Sequence, residues 1–262
     1  MNGTNSFSIH QPRFQLPVIS GTIERRMLVN FRCEPTVLAR LLPRPFRPKL
    51  ANGWGMAGIC LIRLGGIHPA FLPVLGGLTS ENAAHRIAVE WDEDGATREG
   101  VFIPRRDTSA LLNRLVGGKI FPGIHHAAKF EIREMENFYK LEMQSIDGKA
   151  FVRVSARVTN ELPDNSVFAS LGEASDFFRA GALGWSVRSK IGEFDGLELR
   201  CREWRMESLA VEKVESSFFE NTGLFPFGSA RFDSAFLMRG IAHEWHARGR
   251  LTTLGNLQTD EK

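Results

Sequence analysis

Apolar and polar residues alternate along most of the chain, with the period of two that is typical of half-buried strands. Tight-turn sequences separate neighbouring segments at Asp92–Gly95 and at Asp147-Gly148. The pattern predicts a β-rich α+β fold in which antiparallel hairpins surround one core. The alternating segments read RRMLVNFRC, HRIAVEW, ATREGVFIP, FEIREM, FYKLEMQSI, FVRVSARVT, GLELRCREWRM and SLAVEKVESSFF.

Short helices are predicted between these strands, at PTVLARLL, TSALLNRLV and SLGEASDFFRA. Pro35 suits a first helical turn, because its missing N–H is not needed there. Ser170, followed three residues later by Glu173, forms a capping box. The chain shows no internal repeat and no long linker. We therefore expect an N-terminal arm (1–20), a single domain (21–250) and a flexible polar tail (251–262).

Composition and charge narrow the class of protein. The net charge of +3 comes mostly from arginines spread along the chain, without the basic block that binds nucleic acid. No apolar run approaches the length of about 18 residues that spans a membrane, and the first residues do not form a signal peptide. Cys33, Cys60 and Cys201 are far apart and odd in number. We expect them to be reduced thiols in a cytoplasmic protein.

Two motifs fail the tests for a cofactor or a metal. Gly53, Gly55 and Gly58 match G-x-G-x-x-G, but a strand follows them and no acidic residue lies at the spacing that binds a ribose. His243 and His246 lack both a glutamate in the metalloprotease register and a third ligand. We therefore expect neither a cofactor nor a bound metal.

Ionisable residues are concentrated in the otherwise apolar stretch from Ser80 to Phe130. A charge in such a place must be paired or must face a cavity. Arginine is suited to small carboxylates and phosphates, because guanidinium binds them bidentately. The ionisable residues of the stretch include Glu81, His85, Arg86, Glu90, Arg105, Arg106, Asp107, Lys119, His125 and His126.

Three parts of this stretch each admit two interpretations. His125 and His126 point to opposite faces of a strand, so at most one faces the interior, where it either transfers protons or is satisfied by a backbone carbonyl. Lys119 is either a desolvated Schiff-base nucleophile or a solvated loop lysine. The segment Arg105–Asp107 is either an ion pair with a helix cap or an anion clamp.

Three segments resemble the acetoacetate decarboxylase superfamily in order and approximate spacing. They are FRCEPTVLARLLPRPF at 31–46, Thr79–Asn82, and the passage from Asp107 to Phe121-Pro122. Within the superfamily the chain most resembles a bacterial branch that carries SENAAHR, EGVFIPRRDTS and FPG-hydrophobic-HH and lacks the family's Lys-Lys pair. The resemblance implies antiparallel strands that form a barrel- or cone-like sheet around a buried cavity. It also implies a few short peripheral helices and, in many relatives, an oligomer.

The resemblance also implies roles for individual residues. Glu81 falls on the family's active-site glutamate, and Arg25 lies one position from a family arginine. Where the family has Pro-Lys-Lys, this chain has Pro-Gly-Ile, with Gly123 at the position of the Schiff-base lysine. Gly123 has no amine, so the nearby Lys119 is the candidate substitute.

These observations predict a protein that binds a small oxo- or carboxylate-bearing molecule in a buried cavity, as a lyase- or hydrolase-type enzyme. The alternatives are a non-catalytic sensor or carrier that kept the cavity, and an interaction protein whose buried charges only pair internally. Expected partners are a small-molecule ligand and further copies of the chain, without nucleic acid or membrane. The predicted catalytic residues are Glu81, Lys119 and His125, and the predicted substrate-binding residues are Arg25, Arg63, His85 and Arg106.

Overall fold

The computed structural model describes residues 7–10, 17–72, 78–110 and 123–253. These residues form fourteen strands and two helices. The fold is therefore α+β and mostly β-sheet, as the sequence predicts. The helices are α1 (Pro35–Leu41) and α2 (Leu171–Ala180). The strands are β1 (Phe7–His10), β2 (Ile19–Cys33), β3 (Arg47–Pro48), β4 (Leu50–Ala51), β5 (Trp54–Pro69), β6 (Leu78–Glu93), β7 (Ala96–Thr108), β8 (His125–Met135), β9 (Phe138–Ser145), β10 (Phe151–Thr159), β11 (Leu183–Val187), β12 (Glu193–Cys201), β13 (Glu207–Ser216) and β14 (Ala230–Thr253).

The fourteen strands form one sheet whose path of neighbours returns on itself. The order is β12-β11-β7-β8-β9-β10-β13-β14-β2-β5-β6-β3, with β1 beside β14 and β4 beside β5. Two further pairings, β6 with β7 and β12 with β14, close the path. One closed circuit contains seven strands, β7-β6-β5-β2-β14-β12-β11, and we call it the seven-strand ring. In this ring only β7 and β11 are parallel neighbours.

Strands β2, β5 and β6 form a wall between two apolar clusters. Met27 and Val29 enter one cluster, and Leu28 between them enters the other. On β5, Leu61 enters the same cluster as Met27, and Cys60 enters the same cluster as Leu28. Successive side chains of a strand point to opposite faces, so each strand of the wall contributes to both clusters. Which face a residue occupies therefore decides which polar groups it meets.

Both helices begin where the sequence predicts. α1 starts at Pro35 and ends at Leu41, one residue before the end of the predicted segment. At α2, Ser170 Oγ accepts a hydrogen bond from the Glu173 N–H at 3.1 Å, and the Glu173 carboxylate accepts one from the Ala169 N–H at 2.8 Å. The predicted helix TSALLNRLV extends beyond the described residues. Among the described residues, no helix is long and apolar enough to cross a membrane.

Several boundaries differ from the predicted ones, and strand pairing explains two of the differences. The strand predicted to run to Met206 ends at Cys201. Cys201 is the last residue of β12 to pair with β14, opposite His243. The chain pairs with β14 again at Glu207, the first residue of β13, which lies opposite Leu237. At its other end, β14 continues to Thr253, three residues into the predicted tail, and pairs with β1 of the predicted arm.

Candidate functional site

A pocket lies inside the seven-strand ring, and each strand of the ring contributes to its lining. It holds about 80 Å³ of free volume, which is enough for several water molecules or a small organic group. Most of the lining is apolar. The polar exceptions are Arg26, Asn82, Arg86, Arg106, Asp107 and His125, together with the thiol of Cys60.

Three arginines of the pocket have no carboxylate partner among the described residues. Arg26 contacts Met238 Sδ at 3.9 Å and stacks over the Trp204 ring. Arg86 donates to Asn30 Oδ1 at 2.7 Å. These contacts use few of the five N–H donors that each guanidinium carries.

Arg106 is the third of these arginines. Its Nε donates to Ser186 Oγ at 2.9 Å. The one acidic residue of the described lining, Asp107, is already engaged, because Arg105 binds its carboxylate with two nitrogens at 2.8 and 2.9 Å. The segment Arg105–Asp107 thus contains an internal ion pair and, between its members, an arginine that faces the pocket.

Burial lowers the pKa of Arg86 and of Arg106 to about 10. Both guanidinium groups therefore remain protonated at neutral pH. Arg86 is only 7% exposed, and a buried cation without a counter-charge is costly. An anion in the pocket would remove that cost.

His125 and His126 face different surroundings, as expected for neighbours in a strand. His125 lines the pocket, and its Nδ1 lies 3.3 Å from the Gly123 carbonyl oxygen. Burial, and then the charge of Arg106, lowers the pKa of His125 to about 4. The imidazole is therefore neutral at pH 7, and with Nδ1–H donating to the carbonyl its Nε2 is an acceptor. His126 instead lies 3.3 Å from an Asp147 carboxylate oxygen.

A second group of charges lies on the opposite face of the wall. Arg25, Arg63 and Glu81 stand directly across from one another on β2, β5 and β6. Arg25 is 2% exposed and contacts both Glu81, at 2.5 Å, and Glu134 of β8. Arg63 contacts the same two carboxylates, Glu134 at 3.1 Å. We call these four residues the ion-pair network, and none of them lines the pocket.

His85 shares the face of the ion-pair network rather than that of the pocket. It is fully buried and packs against the ring of Phe218, and neither ring nitrogen has a hydrogen-bond partner within the described part of the chain. Burial, and then the charge of Arg105, lowers the pKa of His85 to about 3. It is therefore a neutral core side chain at physiological pH.

The predicted site residues thus fall into two groups. Arg106 and His125 meet in the pocket, whereas Arg25, Arg63, Glu81 and His85 lie on the other face of the wall. Lys119 lies outside the described residues. Glu81, on β6, does not line the pocket that His125 lines from β8.

Sequence reasoning did not assign Arg26, Asn82 and Arg86 to a site, and it did not find Glu134. A partial signal was present, because Arg86 lies in the predicted strand HRIAVEW. Asn82 is four positions earlier and shares its face in β6, but it lies before the start of the predicted strand. No comparable signal marks Glu134, since its partners are distant in sequence. Among the described residues, no group of three His, Cys, Asp or Glu side chains is placed to hold a metal ion.

Comparison with known proteins gives a match in structure alone. Neither a protein-family model nor a curated protein sequence matches the chain. The structure of acetoacetate decarboxylase from Legionella pneumophila matches this one with a TM-score of 0.57 and 11% sequence identity. The match covers 94% of this chain and 92% of the Legionella chain. The chain has the acetoacetate decarboxylase-like fold.

Two further structures share this acetoacetate decarboxylase-like fold. An acetoacetate decarboxylase-like enzyme from Sphingomonas wittichii RW1 gives a TM-score of 0.58 at 15% identity, covering 91% of this chain and 94% of its own. The enduracididine biosynthesis enzyme MppR, solved with pyruvate, gives a TM-score of 0.53 at 11% identity, covering 92% of this chain and 90% of the MppR chain. At these identities the likeness concerns the fold.

Within the acetoacetate decarboxylase-like fold of this chain, Gly123 occupies a position where a side chain has no room. Its φ is +92°, which is a left-handed conformation, and an added Cβ would lie 2.6 Å from Ser186 Cβ. Real Cβ contacts do not come so close, so a lysine would have to displace Ser186, the partner of Arg106. Both the backbone and the packing therefore require glycine here.

Proposed function

We propose that this protein binds a small oxo- or carboxylate-bearing molecule in the pocket of the seven-strand ring. The observation that carries the proposal is the presence of Arg26, Arg86 and Arg106 in one pocket with no carboxylate partner among the described residues. Guanidinium binds carboxylate through two parallel hydrogen bonds. A bound anion would therefore supply the missing counter-charge and use the free N–H donors.

The remaining lining fits the rest of such a molecule. Ile62, Ile103 and Leu197 form apolar walls that a short hydrocarbon or a methyl ketone would contact. A mostly apolar pocket with a few convergent polar groups is the usual form of a small-molecule site. In this proposal the closed circuits of strands act as a barrel- or cone-like enclosure that shields the ligand from water.

Catalysis would require a group that moves protons or attacks the ligand. His125 is the described candidate, because its neutral imidazole presents Nε2 to the pocket as a proton acceptor. Such a base would support a lyase- or hydrolase-type reaction at a carbon or water held by the arginines. The predicted roles of Lys119 and Glu81 in that reaction stay predictions. MppR, a neighbour in fold, was solved with pyruvate, a small oxo acid of the class proposed here.

The alternative proposal is a non-catalytic sensor or carrier. Two observations favour it. None of the described lining residues carries an amine that forms an imine, and the lowered pKa of His125 makes it a weak base. A protein that only binds would keep the arginines and would show no turnover.

Ligand-induced stabilisation tests the binding proposal. Pyruvate or acetoacetate at about a hundred times its Kd should stabilise the folded protein by about 2.7 kcal/mol, measured as a rise in Tm. Arg106→Met should abolish the rise. The matched control is Arg40→Met, which removes an exposed arginine of α1 that does not line the pocket. An equal rise in both variants, or none in the wild type, contradicts the proposal.

Borohydride trapping distinguishes catalysis through an imine from acid–base catalysis without one. Reduction in the presence of acetoacetate or pyruvate, followed by peptide mass mapping, identifies a lysine that forms an imine. An adduct at Lys119 supports the Schiff-base version, and its absence removes that version. Turnover that His125→Gln abolishes would then support acid–base chemistry without an imine. Absence of turnover with intact binding supports the sensor or carrier.

A further inference from the structure

Arg86 is held by a contact that passes over an intervening strand of the wall. Its guanidinium Nη2 donates to Asn30 Oδ1 at 2.7 Å. Asn30 lies on β2 and Arg86 on β6, and β5 runs between the two strands. Neighbouring strands are about 4.8 Å apart, so the two backbones are separated by on the order of 10 Å. A direct hydrogen bond between these side chains therefore requires free space above β5.

Gly58 provides that space. The register places Asn30, Gly58 and Arg86 directly opposite one another across β2, β5 and β6. A Cβ at Gly58 would overlap the Val29 carbonyl oxygen and would lie 3.2 Å from Asn30 Oδ1. Gly58 is the last glycine of the G-x-G-x-x-G sequence. Its missing side chain lets a side chain of β2 reach one of β6.

The side chain of Asn30 is itself fixed in place. Asn30 is fully buried, and its Nδ2 donates to the carbonyl oxygens of Leu28 and Ser234 at 3.3 and 3.2 Å. Because both amide hydrogens are directed to carbonyls, Oδ1 is the end of the amide that faces Arg86. The Arg86 guanidinium also stacks over the Phe178 ring, 5.1 Å from its centroid. The groups that hold Arg86 are thus all without net charge.

A neutral anchor has a different consequence from a carboxylate. In the ion-pair network, Glu81 and Glu134 hold Arg25 and also compensate its charge. The Asn30 amide holds Arg86 without compensating its charge. An anion that enters the pocket therefore meets a guanidinium whose position is already fixed and whose charge is available. Binding to a group that is already ordered costs less conformational entropy.

We propose that Asn30 is a positioning residue of the pocket, which acts on the ligand through Arg86. Asn30 does not line the pocket itself, so its effect on binding passes through the guanidinium that it holds. This inference rests on the proposed function, because it assumes that the pocket of the seven-strand ring binds a carboxylate. It adds a role for a residue outside the pocket lining.

A double-mutant cycle on the Kd of pyruvate tests the inference. Calorimetric titration at constant ionic strength compares the full-length protein with Asn30→Ala, with Arg86→Met and with the variant that carries both changes. Arg86→Met should weaken binding about tenfold and Asn30→Ala about fivefold. The double variant should bind within about twofold of Arg86→Met, because Asn30 then has no guanidinium to position.

Two further variants separate positioning from a general loss of stability. Cys33→Ala changes another fully buried residue of β2 that does not line the pocket. It should lower Tm and leave the Kd of pyruvate within about twofold. Asn30→Ser keeps a donor for the two carbonyls but is too short to reach Arg86. It should weaken binding as Asn30→Ala does, and it replaces Asn30→Ala in the cycle if that variant does not fold.

The outcomes distinguish this inference from the proposed function. Unchanged affinity in the folded Asn30 variants, or in Arg86→Met, overturns the positioning role and leaves carboxylate binding standing. Fold-changes that multiply in the double variant also overturn it, because they show that Asn30 acts independently of Arg86. Failure of pyruvate to bind the wild type overturns the proposed function itself.

Discussion

Gly123 links the backbone to the pocket through a short series of contacts. Its left-handed φ of +92° lets the chain pass close to Ser186, and Ser186 Oγ accepts the hydrogen bond of Arg106 Nε. The Gly123 carbonyl also accepts from His125. One residue without a side chain thus contacts both His125 and the hydrogen-bond partner of Arg106, the two predicted site residues that line the pocket.

Gly123→Ala should therefore destabilise the protein more than the same change at Gly148. Both glycines have positive φ, but an added Cβ at Gly148 meets nothing within 4 Å, whereas at Gly123 it meets Ser186. We expect Gly148→Ala to lower the free energy of unfolding by about 1 kcal/mol and Gly123→Ala by roughly 2–3 kcal/mol. Urea denaturation measures both. Equal losses would show that Ser186 yields freely, contrary to this account.

The wall of β2, β5 and β6 carries different chemistry on its two faces. One face holds the ion-pair network, in which two arginines and two carboxylates balance each other. The other holds Arg26 and Arg86, for which the described residues provide no carboxylate partner. Arg25 and Arg26 are adjacent in sequence and belong to different faces. The network joins β8 to the wall, since Glu134 is its contribution from β8.

Glu81→Gln should lower the free energy of unfolding by about 3 kcal/mol, because it leaves Arg25 buried with one carboxylate fewer. The control is Glu212→Gln, which breaks the exposed pair with Arg157 and should cost less than about 0.5 kcal/mol. Urea denaturation of the two variants gives the comparison. Unchanged stability of Glu81→Gln with loss of turnover would instead support the catalytic role that the resemblance implies for Glu81.

Local pattern predicted many of the strands, the two tight turns and the starts of α1 and α2, because period-two alternation, proline and the capping box act over a few residues. It marked no strand at β11 or at the long β14. It did not predict the closing pairings of β6 with β7 and β12 with β14 as a ring, which join distant parts of the chain. The site residues were likewise predictable only in part. Arg106 and His125 stood out as charges among apolar residues, but only the register across the sheet showed that Arg26 and Arg86 join them and that Glu81 does not.

Three buried histidines in different parts of the molecule make the stability of the fold depend on pH in the same direction. Burial lowers the pKa of His85 to about 3 and that of His125 and His243 to about 4, against about 6.5 in an unfolded chain. Above pH 6.5 both states are neutral and the histidines have no effect. Below it the unfolded chain binds protons that the folded protein does not, so folding weakens until the folded pKa values are reached.

The free energy of unfolding should therefore fall between about pH 6.5 and pH 4, by up to about 1.4 kcal/mol per pH unit for each histidine. Urea denaturation at several pH values measures the slope. His85→Phe keeps an aromatic ring against Phe218 and should make the slope shallower. A slope unchanged by this substitution would mean that His85 is protonated in the folded state.

The seven-strand ring surrounds a pocket in which Arg26, Arg86 and Arg106 have no carboxylate partner among the described residues. The most direct test of the proposed function is a crystal structure of the protein with pyruvate at saturating concentration. We predict electron density for the pyruvate carboxylate within hydrogen-bond distance of at least one of these arginines, and for its methyl group against the apolar lining. A pocket without ligand, in crystals where pyruvate binds elsewhere or not at all, would contradict the central claim that this pocket is the carboxylate site.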